Sequence, residues 1–288
     1  MCKIVTPVVT VFDENEKPDY EGNKKVIDFL IEGGVDGILV LGSSGEFTGL
    51  TKQEKHDFFK FYADYTAGRT KLYAGTGSLN FEDTVALSNE VNEMGYEGAM
   101  VIGPCYYALD QEKIFVYYDT LAKSIKGNLY IYNFPARSGH SIAPETLKKL
   151  VENNANIKGL KDSVSEPNHT NELMLAVEGH EFEMFSGFDD QCIGALSNIV
   201  PEIWSDLVKS TKEKDFDRVM KLSALTHELM PLYDMDSNFS LLFKKLMQHR
   251  GVEVSDRAIF PYNQMDEEVY KKAESLMDKV IEEYQNLK

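Results

Sequence analysis

Residues 157–163 read Ile-Lys-Gly-Leu-Lys-Asp-Ser, a short apolar run that follows a polar helix end and leads into a loop. This pattern is typical of a buried β-strand. Because side chains alternate between the two faces of a strand, Lys161 is expected to share one face with Ile157 and Gly159. Lys161 would then project from the end of the strand into the interior of the protein.

A lysine in such a place has two interpretations. An ammonium group is costly to bury without a partner, and a buried lysine usually escapes this cost by losing its proton. The neutral amine is a nucleophile that can attack a carbonyl carbon. A lysine at a strand exit can also keep its charged head in water. The segment alone leaves both a catalytic and a surface Lys161 open.

Strand-like runs of the same kind recur along the chain, and a helical stretch separates most of them. The first seven are about 25 to 35 residues apart, the size of a strand–helix unit in a parallel sheet. The alternation predicts an α/β fold, a (β/α)8 TIM barrel. The eight runs begin near Ile4, Val35, Lys71, Gly98, Asn128, Ile157, Phe182 and Cys192.

Helix signals fill the intervals between these runs. Thr51 and Glu54 have the spacing of a capping box. Apolar residues at helical spacing predict a helix from Asp110 to Ile125, and Pro144 is placed for the first turn of another helix over 143–153.

Beyond Pro201 the chain is predicted to be helical, and it lacks the linkers that mark an independent domain. We therefore predict a barrel over residues 1–210 and a C-terminal helical appendage over residues 211–288 that packs on it. The predicted helices cover residues 201–210, 214–230, 237–250 and 266–286.

One interval breaks the alternation. Only residues 188–191 separate the seventh predicted strand from the eighth, which begins at Cys192. A crossover between parallel strands needs a dozen or more residues. Either the barrel is locally irregular, or the sequence joins two segments between Gln191 and Cys192 across residues that it lacks. The regular pattern on both sides favours the second explanation, which would place Asp189 and Asp190 at a break.

The composition argues against several kinds of partner and location. The 288 residues carry a net charge of −17, which disfavours nucleic acid and anionic membranes as partners. No stretch approaches the roughly 20 apolar residues that span a bilayer, and the N-terminus lacks a signal-peptide pattern. Cys2, Cys105 and Cys192 are too few and too far apart for a disulfide framework or a zinc site. We expect a cytoplasmic protein.

Function in such a barrel sits in the loops that follow the strands. Residues 42–46 read Gly-Ser-Ser-Gly-Glu, and their hydroxyls and amides suit an anion such as a carboxylate, although the pattern also fits an ordinary polar turn. Tyr132, at the end of the fifth strand, is expected to point inward as a packed ring or a proton carrier. Two further loops follow the fourth strand, at residues 103–107, and the sixth strand, after Lys161.

Three of these segments, in this order and spacing, resemble the dihydrodipicolinate synthase / N-acetylneuraminate lyase family. They are residues 42–46, residues 132–139, which read Tyr-Asn-Phe-Pro-Ala-Arg-Ser-Gly, and residues 159–162, which read Gly-Leu-Lys-Asp. The similarity runs from Thr6-Pro7 to the final helices. The resemblance implies a class I pyruvate-dependent aldolase on a (β/α)8 barrel. It also implies a homo-oligomer, a dimer or more often a tetramer, that needs neither a metal nor an organic cofactor.

The resemblance implies catalytic roles for four residues. Lys161 would condense with the keto group of pyruvate to form an imine, which agrees with the argument for a neutral buried amine. Tyr132 would move protons, and because the phenol is a poor base alone it needs hydroxyl neighbours. Ser43 is the expected neighbour, and Tyr107 is third in the relay, supplied by the same or by a neighbouring subunit.

Other residues are implied as substrate-binding. Ser43 and Ser44 would hold the pyruvate carboxylate beside Gly42, with serines in place of the threonines that are commonest in the synthases. Ile193 corresponds to a residue whose backbone carbonyl faces the site. Arg137 would receive the carboxylate of aspartate semialdehyde, a role that suits a guanidinium because it can bind two oxygens at once; the alternative is a surface arginine in a turn.

These implications favour 4-hydroxy-tetrahydrodipicolinate (dihydrodipicolinate) synthase, which condenses pyruvate with aspartate semialdehyde. Residues 236–244 lack the proline-rich pattern that is usual in that enzyme. A 2-keto-3-deoxygluconate-type or N-acetylneuraminate-type aldolase that releases pyruvate is therefore the alternative. A third hypothesis is a non-catalytic regulator that binds a keto acid.

Overall fold

The computed structural model describes residues 3–164, 166–186 and 193–287. Seven strands lie in this part of the chain: β1 (Val5–Pro7), β2 (Gly37–Val40), β3 (Lys71–Gly75), β4 (Gly98–Ile102), β5 (Leu129–Asn133), β6 (Ile157–Asp162) and β7 (Glu183–Ser186). The helices in the same residues are α1 (Tyr20–Glu32), α2 (Lys52–Thr66), α3 (Phe81–Glu93), α4 (Gln111–Ser124), α5 (Pro135–Ser138), α6 (Pro144–Asn153), α7 (Pro167–Ala176), α8 (Pro201–Glu213), α9 (Phe216–Glu228), α10 (Phe239–His249) and α11 (Glu267–Asn286).

The chain forms two compact units. The first unit contains residues 1–70 and 194–288, and the second contains residues 71–193. In the first unit β1 pairs with β2, and in the second β3 to β7 pair in chain order; every described pair of these strands is parallel. Within the described residues, at least one helix separates each strand from the next along the chain. The prediction of an α/β fold with parallel strands is confirmed.

The local signals of the sequence explain several helix boundaries. The capping box of α2 is present, with the Thr51 hydroxyl accepting from the Glu54 amide and the Glu54 carboxylate accepting from the Thr51 amide. Asp110 caps α4 by accepting from the Lys113 amide. Pro144 occupies the first turn of α6, where a missing N–H costs nothing. The first seven predicted strands all appear within two residues of the expected start.

The predicted eighth strand is wrong where the structure describes it. Residues Ala195–Asn198 form a 3-10 helix instead of a strand, while Cys192 lies outside the described residues. Side chains explain the difference, because Ser197 donates to the Gly194 carbonyl and Asn198 donates to the Ala195 carbonyl, and such local bonds compete with a β-ladder. The Asn198 side chain also donates to the Pro7 carbonyl and accepts from the Val9 amide. It therefore links the 3-10 helix to β1 and to the residues that follow β1.

The four predicted C-terminal helices are present as α8 to α11. Asp215, Asn238 and Asp266 cap three of them by accepting from amides in the first turn. The remaining helix, α8, has Pro201 in its first turn. The division into a barrel over residues 1–210 and an appendage over residues 211–288 stays a prediction.

Three aromatic rings from strands β3, β5 and β7 pack against one another in the second unit. The ring centroids of Tyr73 and Tyr130 are 5.2 Å apart, and that of Phe185 is 6.0 Å from Tyr73. Gly159 allows this packing, because a Cβ there would meet the Glu183 carbonyl oxygen at 2.4 Å and the Tyr130 ring at 2.8 Å. Burial raises the pKa of the Tyr130 hydroxyl well above its usual range.

Candidate active site

Lys161 is buried at the end of β6. The residue is only 6% exposed, as expected for a lysine that points into the interior. Its Nζ donates a hydrogen bond to the Ser163 hydroxyl at 3.2 Å. Within the described residues, no carboxylate lies within ion-pair distance of this amine. The described surroundings therefore supply a hydroxyl and an aromatic ring rather than a counter-charge.

Tyr132 is the aromatic neighbour of Lys161. The two residues are register partners on β5 and β6, and Nζ lies 4.0 Å from the centroid of the Tyr132 ring. Tyr132 is 7% exposed. The structure thus brings together the two residues that the sequence predicted as nucleophile and proton carrier.

A stack of side chains connects this pair with Arg137. The ring of Phe134 lies 5.7 Å from that of Tyr132 at an interplanar angle of 26°. The guanidinium carbon of Arg137 lies 5.9 Å from the centroid of Phe134. Arg137 is exposed in the last turn of α5, which ends at Gly139 with φ of 79°. The exposed guanidinium of Arg137 can therefore contact a ligand that binds next to the rings of Phe134 and Tyr132.

A buried carboxylate next to Lys161 was missed by sequence reasoning. Asp162 is 1% exposed. Its Oδ1 accepts from the Asn133 side chain at 2.8 Å, and its Oδ2 accepts from the Thr170 hydroxyl at 2.8 Å and contacts His169 Nδ1 at 2.9 Å. These bonds join the ends of β5 and β6 to α7. The signal in the sequence was the pairing of two polar residues, Asn133 and Asp162, that each directly follow a predicted site residue.

Ser163 is a second residue that sequence reasoning missed. It is 7% exposed, and its amide donates to the Asn133 carbonyl at 2.8 Å, which continues the pairing of β6 with β5 by one residue. This bond aims the hydroxyl at Lys161. A serine two residues after a candidate nucleophile shares its strand parity, which could have suggested the contact.

The loop that was predicted to bind a carboxylate lies in the first unit. Ser43–Gly45 forms one turn of 3-10 helix, with the Gly45 amide donating to the Gly42 carbonyl at 2.9 Å. Ser44 is 3% exposed and Ser43 is half-buried. Leu41, directly before this turn, has φ of 54°, a left-handed conformation that costs a non-glycine residue of order 1–3 kcal/mol. Such strain is common at ligand-binding loops.

Tyr107 lies in the loop after β4 and is 75% exposed. Its ring packs edge-on against that of Tyr106, with centroids 4.9 Å apart. Tyr106 is 87% exposed and has φ of 81°, an outlier for a bulky residue. The sequence singled out Tyr107, whereas backbone strain marks Tyr106.

Ile193, the remaining predicted site residue, is 1% exposed, and its amide donates to the Ser186 carbonyl at the end of β7. The predicted role of its carbonyl stays a prediction. The short interval at residues 188–191 and its junction with Cys192, including Asp189 and Asp190, lie outside the described residues.

Two further properties concern all of the residues that the structure describes. Among them, no group of three or more His, Cys, Asp or Glu side chains could hold a metal ion. None of the helices that the structure describes is long and apolar enough to cross a membrane.

Comparisons with known proteins agree on one family. Residues 1–280 match the sequence model of the Dihydrodipicolinate synthetase family. The chain is 31% identical over 244 residues to a 4-hydroxy-tetrahydrodipicolinate synthase of Kosmotoga olearia, which covers 80% of this chain and 82% of that protein. It is 29% identical over 277 residues to an Escherichia coli K12 protein named "Putative 2-dehydro-3-deoxy-D-gluconate aldolase YagE", with 92% of each covered.

The fold agrees with that of one of these relatives. The crystal structure of YagE in complex with pyruvate, described as a prophage protein of the dihydrodipicolinic acid synthase family, matches this chain with a TM-score of 0.93. The match covers 98% of this chain and 99% of that one at 28% identity. The likeness therefore extends over the whole chain, including the C-terminal helices.

Proposed function

We propose a function for this chain from one premise: the chain belongs to the Dihydrodipicolinate synthetase family, whose members are pyruvate-dependent lyases. We propose that it folds as a (β/α)8 barrel and works as an aldolase or synthase that forms a Schiff base with pyruvate. The observation that carries the proposal is the buried amine of Lys161, held against the Tyr132 ring and the Ser163 hydroxyl. The complex of the relative YagE with pyruvate supports the choice of keto acid.

In the proposed mechanism, the Lys161 amine attacks the keto carbon of pyruvate and the resulting carbinolamine loses water. The product is an imine, and in its protonated form it withdraws electrons from the adjacent methyl carbon. That carbon then loses a proton to give an enamine, which attacks an aldehyde carbon; cleavage is the reverse. Tyr132, whose ring centroid lies 4.0 Å from the Lys161 amine, is the group proposed to carry these protons.

Further roles are proposed for the predicted residues of both units. Ser43, Ser44 and the amides after Gly42 bind the pyruvate carboxylate, a role suited to a turn rich in hydroxyl and N–H donors. Ser43 and one tyrosine of the loop at residues 103–107 extend the proton relay from Tyr132. The Ile193 carbonyl contributes to the substrate-facing surface. We also propose a homo-oligomer, a dimer or tetramer, located in the cytoplasm.

Aspartate semialdehyde is the acceptor that the geometry of Arg137 supports best. The exposed guanidinium lies beside the Phe134 ring, which packs on Tyr132, and a guanidinium is suited to binding the carboxylate of a second substrate. The relative from Kosmotoga olearia bears the corresponding name, 4-hydroxy-tetrahydrodipicolinate synthase. We therefore propose that the chain condenses pyruvate with aspartate semialdehyde.

Cleavage of a 2-keto-3-deoxy sugar acid is the second candidate. It is favoured by the similarity to YagE over 92% of the chain. It is also favoured by residues 239–244, which read Phe-Ser-Leu-Leu-Phe-Lys and contain no proline. A sugar acid would meet Arg137 with hydroxyl groups, to which a guanidinium binds less strongly than to a carboxylate.

A side-by-side assay separates the two candidates. Condensation of pyruvate with aspartate semialdehyde is compared with release of pyruvate from 2-keto-3-deoxygluconate, using wild-type protein, Arg137→Ala and Arg137→Lys. For the synthase we expect condensation to dominate and Arg137→Ala to raise the KM for aspartate semialdehyde by about 10- to 100-fold, with Arg137→Lys intermediate. Dominant cleavage that is unchanged in Arg137→Ala would replace the first candidate by the second. Absence of both reactions would contradict both candidates.

A further inference from the structure

A lysine with no assigned role lies buried beneath the predicted carboxylate-binding loop in the first unit. Lys244, on α10, is 0% exposed. Its Nζ donates to Glu46 Oε1 at 2.7 Å, to the Thr10 carbonyl at 3.1 Å and to the Arg257 carbonyl. All three N–H groups of the ammonium therefore have acceptors. The Phe12 ring covers the charge at 5.0 Å.

The partner of Lys244 is the last residue of the loop at residues 42–46. The Glu46 side chain is 9% exposed. Its second oxygen, Oε2, accepts from the Ile259 amide at 3.0 Å. The carboxylate is thus held between α10 and the segment that precedes α11. Both oxygens are bound by groups that are distant in sequence from the loop.

The backbone of Glu46 is held in a conformation that it would otherwise avoid. Its φ of 53° and ψ of 33° are left-handed, which is unfavourable for a residue with a Cβ. In this conformation the Glu46 amide donates to the Ser43 carbonyl at 3.4 Å and closes the turn that contains both serines. A glycine would reach the same backbone more easily, so the residue type points to a need for the carboxylate.

A second contact fixes the same turn from the other side. The Thr10 hydroxyl donates to the Gly45 carbonyl at 2.8 Å, and the Thr10 carbonyl accepts from Lys244. Lys244 is therefore bound to both residues that hold the turn, Thr10 and Glu46. A single ammonium sets the position of the Ser43–Gly45 turn relative to α10.

We propose that Lys244 is a positioning residue for the pyruvate carboxylate site: through Glu46 and Thr10 it holds Ser43 and Ser44 in the geometry that binds the substrate. The inference rests on the proposed function, in which these serines bind the carboxylate. Lys244 does not touch the substrate in this account. It acts on pyruvate affinity rather than on the chemistry at Lys161.

The test uses trapping of the imine by borohydride, because this reports on pyruvate without a second substrate. The rate of trapping is measured against pyruvate concentration for wild-type protein and Lys244→Met. Positioning predicts that the pyruvate concentration for half-maximal trapping rises about tenfold or more, while the maximal rate changes much less. A purely structural Lys244 predicts a lower Tm with an unchanged half-maximal concentration for the folded protein.

Two further variants keep the test decisive. Lys244→Met leaves the Glu46 carboxylate buried without its cation, which can unfold the protein, so the double variant Glu46→Gln/Lys244→Met removes both charges. We expect the double variant to recover Tm but to keep the raised half-maximal concentration, because the turn is no longer held by the ammonium. Lys245→Met is the matched control. It removes a partly exposed pair with Asp256 from the next position of the same helix and is expected to trap pyruvate as the wild type does.

The outcomes distinguish the inference from the proposed function. If wild-type protein forms no adduct, the proposed function fails. If wild-type protein forms the adduct and the folded double variant has the wild-type half-maximal concentration, only the positioning role of Lys244 is overturned. A raised concentration in the double variant and an unchanged one in Lys245→Met support it.

Discussion

The amine nitrogen of Lys161 lies 4.0 Å from the centre of the Tyr132 ring, and the two residues are register partners on adjacent parallel strands. The shared stretch of β-ladder fixes the spacing of the two backbones from which these side chains project. Phe134 packs against the outer side of the tyrosine at 5.7 Å. The geometry places the ring of Tyr132 beside the amine that is proposed as the nucleophile.

The Tyr132 hydroxyl is the part of this arrangement that the mechanism uses. Tyr132→Phe keeps the ring and its packing but removes the hydroxyl. We expect the turnover rate to fall by about 10²- to 10⁴-fold, the usual contribution of a general acid/base, with little change in Tm. Steady-state kinetics and a thermal melt measure both quantities.

Tyr130 supplies a matched control for this variant. It lies two residues earlier on β5, and its hydroxyl contacts Glu183 at 3.3 Å rather than the amine. Tyr130→Phe should leave turnover within a few-fold of wild type. Equal losses in the two variants would show that the hydroxyl of Tyr132 has no special role.

The Asp162 carboxylate is expected to support the site through stability. Asp162→Asn removes a buried charge and turns one acceptor oxygen into a donor that faces Asn133 or Thr170. We expect the free energy of unfolding to fall by about 1–3 kcal/mol, measured by urea denaturation. Thr170→Val removes one donor to the same carboxylate and should cost less. A double variant whose loss equals the sum of the single losses would contradict a connected network.

The sequence predicted this site in part. Lys161 and Tyr132 were predictable because strand parity decides which side chains share a face, and the structure has both where parity placed them. The Asp162 network and the Lys244–Glu46 pair were not predictable in the same way. Lys244 and Glu46 lie 198 positions apart and meet only through tertiary packing, and the contacts of Asp162 with His169 and Thr170 depend on how α7 packs at the end of β6. Hydrophobic periodicity carries no information about such pairs.

The fold, like the site, could be predicted from the sequence only where local signals decide the structure. The seven strands and the C-terminal helices follow from period, caps and prolines, which are local. The eighth strand was predicted from the apolar run that begins at Cys192, but residues Ala195–Asn198 form a 3-10 helix because the side chains of Ser197 and Asn198 bond to nearby carbonyls. Short apolar runs next to such residues are ambiguous between strand and 3-10 helix.

Backbone strain at Tyr106 gives a prediction about the proton relay. A bulky residue is held at positive φ only where the surroundings require it, and such residues cluster at functional sites. We expect Tyr106→Phe to lower turnover by at least about tenfold and Tyr107→Phe to lower it less. Steady-state kinetics of both variants, with melts to confirm folding, measure this. A larger loss in Tyr107→Phe would return the role to the residue that the sequence singled out.

The C-terminal helices give a prediction about pH. Arg218 on α9 binds both oxygens of Asp206 on α8, and its Nη1 donates to the Leu287 carbonyl at 3.0 Å. The hydrogen bond from Arg218 lowers the pKa of the Asp206 carboxyl. The stabilisation is therefore present above the unfolded-state pKa near 3.9 and is lost as the pH falls through the folded-state pKa.

Arg218→Ala should accordingly lower the free energy of unfolding by about 1–3 kcal/mol at pH 7, and the difference from wild type should shrink below about pH 4. Urea denaturation at several pH values measures it. Arg69→Ala breaks a more exposed pair with Asp28 and should cost less than about 1 kcal/mol. A loss in Arg218→Ala that is independent of pH would assign it to packing rather than to the ion pair.

The central claim is that Lys161 forms an imine with pyruvate. Wild-type protein and Lys161→Ala are incubated with pyruvate and borohydride, and the intact mass and the peptide map are measured by mass spectrometry. We predict one reduced pyruvyl group per chain in the wild type, on the peptide that contains Lys161, and none in Lys161→Ala. A folded wild-type protein that gains no adduct, or an adduct that persists in Lys161→Ala, would contradict the account.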